Sequence, residues 1–145
     1  MSQEPLLISA CLLGVPCRYD GTSKPCAALE LLAERFVFVP VCPEQLGGLP
    51  TPRVPAERRG DSVMTRDGRD VTKNYQRGAN EALRIARIVG CTKALLKAKS
   101  PSCGCGRIYD GTHSGTLTDG DGVTAELLKE NGIEVYNETG MDLLD

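Results

Sequence analysis

The sequence predicts an α/β fold, a Rossmann-like parallel sheet of about four strands with helices on both faces. Short apolar runs alternate along the chain with amphipathic segments, in the order strand, helix, strand, helix, strand, helix, strand. Alternation of this kind requires right-handed crossovers, which make the strands parallel and cover both faces of the sheet. The chain contains no internal repeat, so we expect residues 1–145 to form a single domain.

The first third of the chain predicts two strands and the helix between them. The apolar run LLISACLL predicts a buried strand over 6–13, and turn-forming residues follow it. A helix is expected over 25–35, because Pro25 suits a first helical turn. The run FVFVPVC predicts the second strand over 36–42, because it is rich in β-branched and aromatic residues. The helix predicted over 25–35 is expected to bury Ala28, Leu31 and Leu32 on one face.

The middle of the chain combines an irregular segment with a long helix. Residues 43–69 are rich in proline and glycine and show no sustained periodicity, which is typical of a functional or mobile excursion. Asp70 is the expected N-cap of a helix that Gly90 ends. The residues expected on its buried face are Tyr75, Ala79, Ala82, Leu83, Ala86 and Val89.

The last third predicts two further strands and one helix. A strand is expected over 92–99, although its lysines also suit a helix. A helix near 122–131 is ended by Gly132 and leads into a final strand over 133–137.

Composition and charge limit the classes of partner. The formal net charge is −2, which gives no electrostatic basis for a stable complex with long nucleic acid. No apolar stretch reaches membrane-spanning length, and Glu4 precedes the N-terminal apolar run in place of a basic leader. We therefore expect a cytoplasmic protein. In a reducing compartment, seven cysteines point to metal binding or catalysis rather than to disulfides.

Three cysteines stand where the predicted strands end. Cys11 lies at the end of the first strand, Cys42 at the end of the second, and Cys103 just beyond the third. Parallel strands finish at one edge of a sheet, where the ligand sites of open α/β folds lie. Their spacing is too wide for a zinc ribbon or a ferredoxin run, so tertiary structure must assemble the site. Three thiolates would leave one position of a metal or cluster open to substrate.

Polar and small residues accompany these cysteines. Glu44 follows Cys42 by two positions and is a candidate proton carrier, although a glutamate on a loop is often only solvated. In the stretch SPSCGCGR, the hydroxyls of Ser100 and Ser102 can donate hydrogen bonds beside sulfur. Gly104 and Gly106 in the same stretch would let the backbone approach a cofactor closely.

Other cysteines leave alternatives open. Cys17 is either a fourth ligand that closes the site or a spare thiol near it, and Cys105 is expected to face away from Cys103. A structural zinc site made by Cys17 with the three strand-end cysteines is one alternative. A thiol-redox module is another, although PSCGC lacks the C-x-x-C spacing. Cys26 and Cys91 are expected in the core.

Two further signals are weak. The stretch GDGVTA over 120–125 fits a dinucleotide-binding pattern and opens a helix, but no clear strand precedes it. The N-terminus of that helix could still hold one phosphate. His113 is expected in a surface turn. A Rossmann-like hydrolase or nucleotide-binding protein with incidental cysteines stays an alternative function.

Four stretches together resemble the DUF523 family of TudS-type desulfidases, in its short stand-alone form. They are SACLLGVPCRYDG, FVPVCPEQLGGLPTPR, DVT and KAKSPSCGCGRIYDGTHSG, and the likeness runs over nearly the whole chain. The resemblance implies a [4Fe-4S] cluster at the carboxyl edge of the sheet. Its protein ligands would match Cys11, Cys42 and Cys103, which leaves the fourth iron without one.

The resemblance also implies an activity. Members of the family remove sulfur from thiolated uracil compounds by non-redox hydrolysis, and 4-thio-UMP is the substrate implied for short forms. The expected partner is therefore a small thiolated pyrimidine or nucleotide. Glu44 is the expected proton carrier, with Ser100 or Ser102 as hydrogen-bond donor to the substrate. The residues expected to contact ribose, base or phosphate are Asp20, Thr72 and Arg53, with Arg66, Lys97 and Lys99 as further phosphate candidates.

Overall fold

The computed structural model describes residues 3–140 and 144 and is organised around a four-stranded parallel sheet. In chain order the strands are β1 (Glu4–Ser9), β2 (Phe36–Val41), β3 (Ala56–Arg59), β4 (Ser62–Thr65), β5 (Lys93–Leu96), β6 (Arg107–Tyr109), β7 (Leu117–Asp119) and β8 (Glu134–Asn137). The helices are α1 (Leu29–Leu32), α2 (Pro43–Leu46), α3 (Thr72–Val89) and α4 (Val123–Glu130). The sheet order is β2-β1-β5-β8, and all neighbours are parallel, which confirms the predicted fold class.

Helices cover both faces of the sheet, as predicted. Successive side chains of a strand point to opposite faces, so Leu6 and Ile8 of β1 face one side and Leu7 faces the other. The first side packs against α1 and the turn that follows β1. The second side packs against α3 and α4, which also contact each other. The core is therefore split into two apolar layers by strands buried on both faces.

Several predicted boundaries are wrong in their details. Strand β1 ends at Ser9, and residues Ala10–Leu13 form a 3-10 turn that Gly14 ends at a φ of 97°. Helix α1 is a single turn in place of 25–35, so only its first and last residues reach the sheet and Leu31 is 73% exposed. Strand β5 covers four residues rather than the predicted 92–99.

The segment 43–69 is more ordered than the sequence indicates. It contains α2 and the antiparallel hairpin of β3 and β4, whose elements are too short to give a periodic signal. A second hairpin joins β6 and β7. Both hairpins lie outside the parallel sheet.

Helix α3 is the longest described helix and carries α2 on its surface. It buries the predicted face except Val89, which is 46% exposed because it lies in the last turn before Gly90. A Cβ atom at Gly78 would lie 1.9 Å from the carbonyl oxygen of Pro43, and one at Gly47 would lie 2.0 Å from the carbonyl oxygen of Asn74. Paired glycines thus permit a backbone-to-backbone approach of α2 to α3. None of the described helices is long and apolar enough to cross a membrane.

Candidate active site

A cavity of about 530 Å³ opens at the carboxyl edge of the parallel sheet. Its floor is formed where β1, β2 and β5 end, as expected for an open α/β fold. The loop that contains Ser100 forms one wall, and the two hairpins contribute residues to the rim. The residues that carry chemistry in its lining are Cys11, Cys17, Cys42, Cys103, Glu44, Arg53, Ser100 and His113.

The three strand-end thiols meet in this cavity. Cys11 lies in the 3-10 turn after β1, Cys42 directly follows β2, and Cys103 lies in the loop after β5. Burial raises the pKa of the Cys11 thiol to about 11, and the nearby Cys42 raises that pKa further. Burial also raises the pKa of Cys103, with contributions from Glu44, Cys11 and Cys42, while a hydrogen bond from Ser9 opposes the shift. The thiols therefore act on one another electrostatically.

Cys17 brings a fourth thiol to the same wall. It is buried, and the thiol of Cys42 donates a weak hydrogen bond to its carbonyl oxygen over 3.7 Å. Burial raises the pKa of Cys17 to about 12, and Cys42 and Cys11 contribute further. Cys17 thus lines the same cavity as the three strand-end thiols, and the alternatives of ligand and neighbouring thiol both stay open.

The thiols that line the cavity have the chemistry to hold a cluster. Among residues 3–140 and 144, no three or more His, Cys, Asp or Glu side chains are arranged to hold one metal ion. A tetrahedral zinc site needs its thiolates around one atom. A cubane cluster does not, because each thiolate binds a different iron. Three converging thiols around an open cavity therefore suit a multi-iron group.

The remaining cysteines lie outside the cavity. Cys105 donates from its thiol to the carbonyl oxygen of Val135 over 3.6 Å, so it faces the sheet edge rather than Cys103. The neighbouring thiols of Cys103 and Cys105 therefore face different surroundings and do not form a pair. Cys91 is buried in the core, and Cys26 packs against the other core layer, as expected.

Glu44 is held by two partners at the cavity wall. It lies on α2, and its side chain lines the cavity with 18% exposure. Arg53 forms an ion pair with it, with Nη2 3.3 Å from Oε2. The hydroxyl of Tyr75, on α3, donates a short hydrogen bond to Oε1. Both carboxylate oxygens are therefore fixed by protein donors.

The guanidinium of Arg53 has no donor left for a substrate. Its Nε donates to Oε1 of Glu44, and its Nη2 donates to Oε2 of Glu44 and to the Cys17 carbonyl oxygen. Its Nη1 donates to the Pro50 carbonyl oxygen and to Thr51 Oγ1. These contacts account for all five N–H groups of an arginine. Arg53 thus lines the cavity and shapes its wall, and its role in binding substrate stays a prediction.

The two candidate serines occupy different places. Ser100 lines the cavity, and its Oγ accepts hydrogen bonds from the backbone N–H groups of Ser102 and Cys103 at 3.0 and 3.1 Å. Its own hydroxyl proton stays available to the cavity. Ser102 is fully buried, and its Oγ lies 2.8 Å from that of Thr124 on α4. The structure therefore does not bring the Ser102 hydroxyl into the cavity.

Two other predicted substrate contacts also lie elsewhere. Asp20 does not line the cavity, and its carboxylate accepts hydrogen bonds from Thr22 that hold its pKa below the usual value. Thr72 accepts a hydrogen bond at Oγ1 from the Val63 N–H at 2.8 Å, so it ties the start of α3 to β4. Their motifs serve turn and helix geometry, which is the ordinary role of such residues.

Cations surround the mouth of the cavity. Lys97 lines the cavity but is neutralised by Glu138, with Nζ 2.9 Å from Oε2. Three further cations form no ion pair with any residue in the described part of the chain: Lys24, Arg66 and Lys99. These exposed side chains make the rim positive in a chain with a formal net charge of −2.

His113 lies in the bend between β6 and β7, as expected, and it also lines the cavity. It adopts a φ of 57°, and its Nδ1 lies 3.6 Å from Glu57 of the first hairpin. Glu57 also accepts backbone N–H hydrogen bonds from Gly111 and His113 at 3.0 and 3.1 Å. This carboxylate thereby joins the two hairpins at the rim.

The N-terminus of α4 is occupied by the cysteine loop and does not form a phosphate site. Its first N–H groups, from Val123 and Thr124, donate to the carbonyl oxygens of Pro101 and Ser102 at 2.9 and 2.8 Å. A Cβ at Gly122 would lie 2.4 Å from Ser102 backbone atoms. Gly122 of GDGVTA thus serves close packing, and Gly104 likewise permits a close approach to the Ser100 carbonyl oxygen.

Sequence reasoning missed three residues that complete the site. Tyr75 had the signal of an ordinary core residue on a helix face, and Ser9 that of a strand residue. Glu138 lies after the last strand, far along the chain from Lys97. The pairing of Lys97 with Glu138 depends on the strand order, which places β8 beside β5.

Comparison with known proteins shows similar chains and a similar fold. The family model described as 2-thiouracil desulfurase matches residues 6–140. The uncharacterized protein YbbK of Bacillus subtilis strain 168 is 40% identical over 147 residues, which cover 94% of this chain and 97% of that protein. A solved structure of the [4Fe-4S]-dependent thiouracil desulfidase TudS is 47% identical, with a TM-score of 0.92, and the match covers 98% of this chain and 95% of that chain.

Proposed function

We propose, because this chain belongs to the 2-thiouracil desulfurase family, that it hydrolyses the C=S bond of a thiolated uracil nucleotide with the help of a [4Fe-4S] cluster. The observation that carries this proposal is the convergence of three thiols on one cavity beside a fixed glutamate. We assign Cys11, Cys42 and Cys103 as the residues that would hold the cluster. When bound, such a cluster supplies an iron without a protein ligand, a Lewis acid that suits a soft thione sulfur.

Glu44 is the proposed proton carrier. Replacing C=S by C=O consumes one water and releases one sulfide as H₂S or HS⁻, with no net oxidation of the ring. Protons must therefore leave the water and reach the sulfur, and a carboxylate at the wall can accept and return them. Donors on both of its oxygens hold the Glu44 carboxylate in place at the wall.

Ser100 is the proposed hydroxyl donor to the substrate. Its oxygen already accepts two backbone hydrogen bonds, so the hydroxyl is oriented and its proton is free to point into the cavity. A hydrogen bond from this group to a ring heteroatom would orient the pyrimidine. The buried Ser102 supports the loop from behind.

The positive rim supports a nucleotide rather than a free base. Lys24, Arg66 and Lys99 have no carboxylate partner among the described residues, and a 5′-phosphate would supply one. Cations around a cleft attract anionic substrates and raise their local concentration. We therefore propose 4-thio-UMP as substrate, with UMP and sulfide as products.

Anaerobic reconstitution followed by a sulfide-release assay tests the proposal. We expect about four irons and four acid-labile sulfides per chain, as for a [4Fe-4S] protein. In water enriched in oxygen-18, the UMP formed should gain one heavy oxygen, and no external reductant or oxidant should be needed. A protein that binds one zinc and no sulfide would contradict the cluster. Product without heavy oxygen would contradict hydrolysis.

A further inference from the structure

We infer that Tyr75 is a positioning residue for Glu44, one that fixes the carboxylate from the side opposite the cavity. This inference rests on the proposed function, in which Glu44 carries protons. Tyr75 does not line the cavity and is 2% exposed, so it cannot contact a substrate directly. Any effect on turnover must therefore pass through Glu44.

The hydrogen-bond geometry makes Glu44 the partner of Tyr75. The phenol oxygen donates to Oε1 of Glu44, and this is the hydrogen bond that connects the buried ring to the wall. Hydrogen bonds to an ionised acceptor are shorter and stronger than those between neutral groups. Burial, and then the charge of Glu44, raise the pKa of Tyr75, so the phenol stays a proton donor at any working pH.

Arg53 fixes the same carboxylate from another direction. It is buried, and contacts to Pro50, Thr51 and Cys17 hold its guanidinium in place before it reaches Oε2. With Tyr75 on Oε1 and Arg53 on Oε2, rotation of the carboxylate is blocked. A carboxylate offers about four acceptor sites. Tyr75 and the Nε and Nη2 of Arg53 occupy three of them, so about one remains for the cavity.

Local structure shows why the pair of donors is needed. Glu44 lies on α2, a helix of only four residues, which cannot hold a side chain rigidly by its own hydrogen bonds. Helix α3 has eighteen residues and is packed in the core, so it provides a rigid base for Tyr75. The hydrogen bond thus transfers the rigidity of the long helix to the short one.

The test compares Tyr75→Phe with Tyr136→Phe, each measured beside the wild-type chain and Glu44→Gln. Tyr136 is a matched control because its hydroxyl also bonds a glutamate, Glu134 at 3.2 Å, but at the surface. Tyr75→Phe should lower kcat by about tenfold or more and leave KM within about twofold, since a small misplacement of a reacting group is costly. Its iron and sulfide content should match the wild-type chain. Tyr136→Phe should leave all three quantities unchanged.

A second readout does not depend on turnover. In a crystal structure of Tyr75→Phe, we expect the Glu44 carboxylate to rotate or to occupy more than one conformer, and in Tyr136→Phe to stay as in the wild-type chain. An unmoved Glu44 in Tyr75→Phe, or an unchanged kcat, overturns the inference. So does a fall in kcat that is matched by an equal loss of iron, because that is the result of a merely structural role.

Failure of the inference and failure of the proposed function give different results. If the wild-type chain releases no sulfide from any thiolated uracil, the proposed function fails, and the conformation of Glu44 alone decides the inference. If the wild-type chain is active and Glu44→Gln keeps full kcat, Glu44 is not the proton carrier. A loss of kcat in Tyr75→Phe would then come from an effect on another group. That result would overturn the inference, while the proposed activity would stand.

Discussion

Replacing Gly78 by alanine should separate α2 from α3 and damage the site more than the fold. A Cβ there would lie 1.9 Å from the Pro43 carbonyl oxygen, whereas ordinary contact begins at 3.4 Å. The atom in the way belongs to the backbone and cannot rotate aside, so α2 must move by about 1.5 Å. That movement carries Glu44 and the adjoining Cys42 with it.

The expected magnitudes follow from two opposing effects. Overpacking costs about 1–3 kcal/mol, while alanine gains about 1 kcal/mol over glycine in a helix interior. Gly78→Ala should therefore lose at most roughly 2 kcal/mol in the free energy of unfolding. A displacement of about 1 Å at a reacting group can lower the rate by about 100-fold, so kcat should fall by that order.

The assay combines urea unfolding with sulfide release by the reconstituted protein. Gln76→Ala is the control, because it also places an alanine on α3 but at an exposed position. We expect the control to keep both stability and kcat. If Gly78→Ala turned out more stable than the wild-type chain with an unchanged kcat, the close approach of the helices would not position the site, and the reasoning would be refuted.

Three further predictions concern the thiols, the buried serine and the rim. Cys17→Ser should keep the iron and sulfide content of the reconstituted protein. Cys11→Ala should lose both the colour that the cluster gives to the reconstituted protein and the turnover. Loss of iron in Cys17→Ser would show that Cys17 is a ligand. Ser102→Ala should lower the free energy of unfolding by about 1–3 kcal/mol, because it leaves a buried threonine hydroxyl without its partner. Its kcat per bound cluster should stay unchanged, and a hundredfold fall in a stably folded variant would instead give it a catalytic role. A Lys24→Ala, Lys99→Ala double variant should raise KM for 4-thio-UMP by about tenfold at low salt, with a smaller effect at high salt. An equal rise with free 4-thiouracil would show that the rim does not recognise phosphate.

The fold class was predictable from the sequence because its signals are long or repeated. Alternating apolar and amphipathic segments predicted four parallel strands, and the order β2-β1-β5-β8 confirms them. The long helix was predictable because several turns repeat the same pattern. Helix α1 was overestimated, because Leu31 fits a helical apolar face while the chain forms only one turn. Helix α2 and the two hairpins give no period long enough to detect.

The candidate site was predictable only where position along the chain implies position in space. Cysteines that follow parallel strands must meet at one edge, so Cys11, Cys42 and Cys103 could be grouped from sequence. The motif residues Asp20 and Thr72 could not be separated from ordinary turn and capping residues, and their side chains do that work. The pairing of Glu44 with Tyr75 depends on how α2 packs against α3, and no local sequence pattern indicates that packing.

The docking of the cysteine loop on α4 determines what holds the thiols in position. Backbone hydrogen bonds from Val123 and Thr124, together with the buried pair of Ser102 and Thr124, anchor the segment next to Cys103. That anchorage uses no metal, and the turn that carries Cys11 is closed by its own hydrogen bonds. The backbone next to Cys11 and Cys103 is therefore held by the protein's own hydrogen bonds. Replacing one of these thiols should for that reason change what the cavity binds more than it changes the fold.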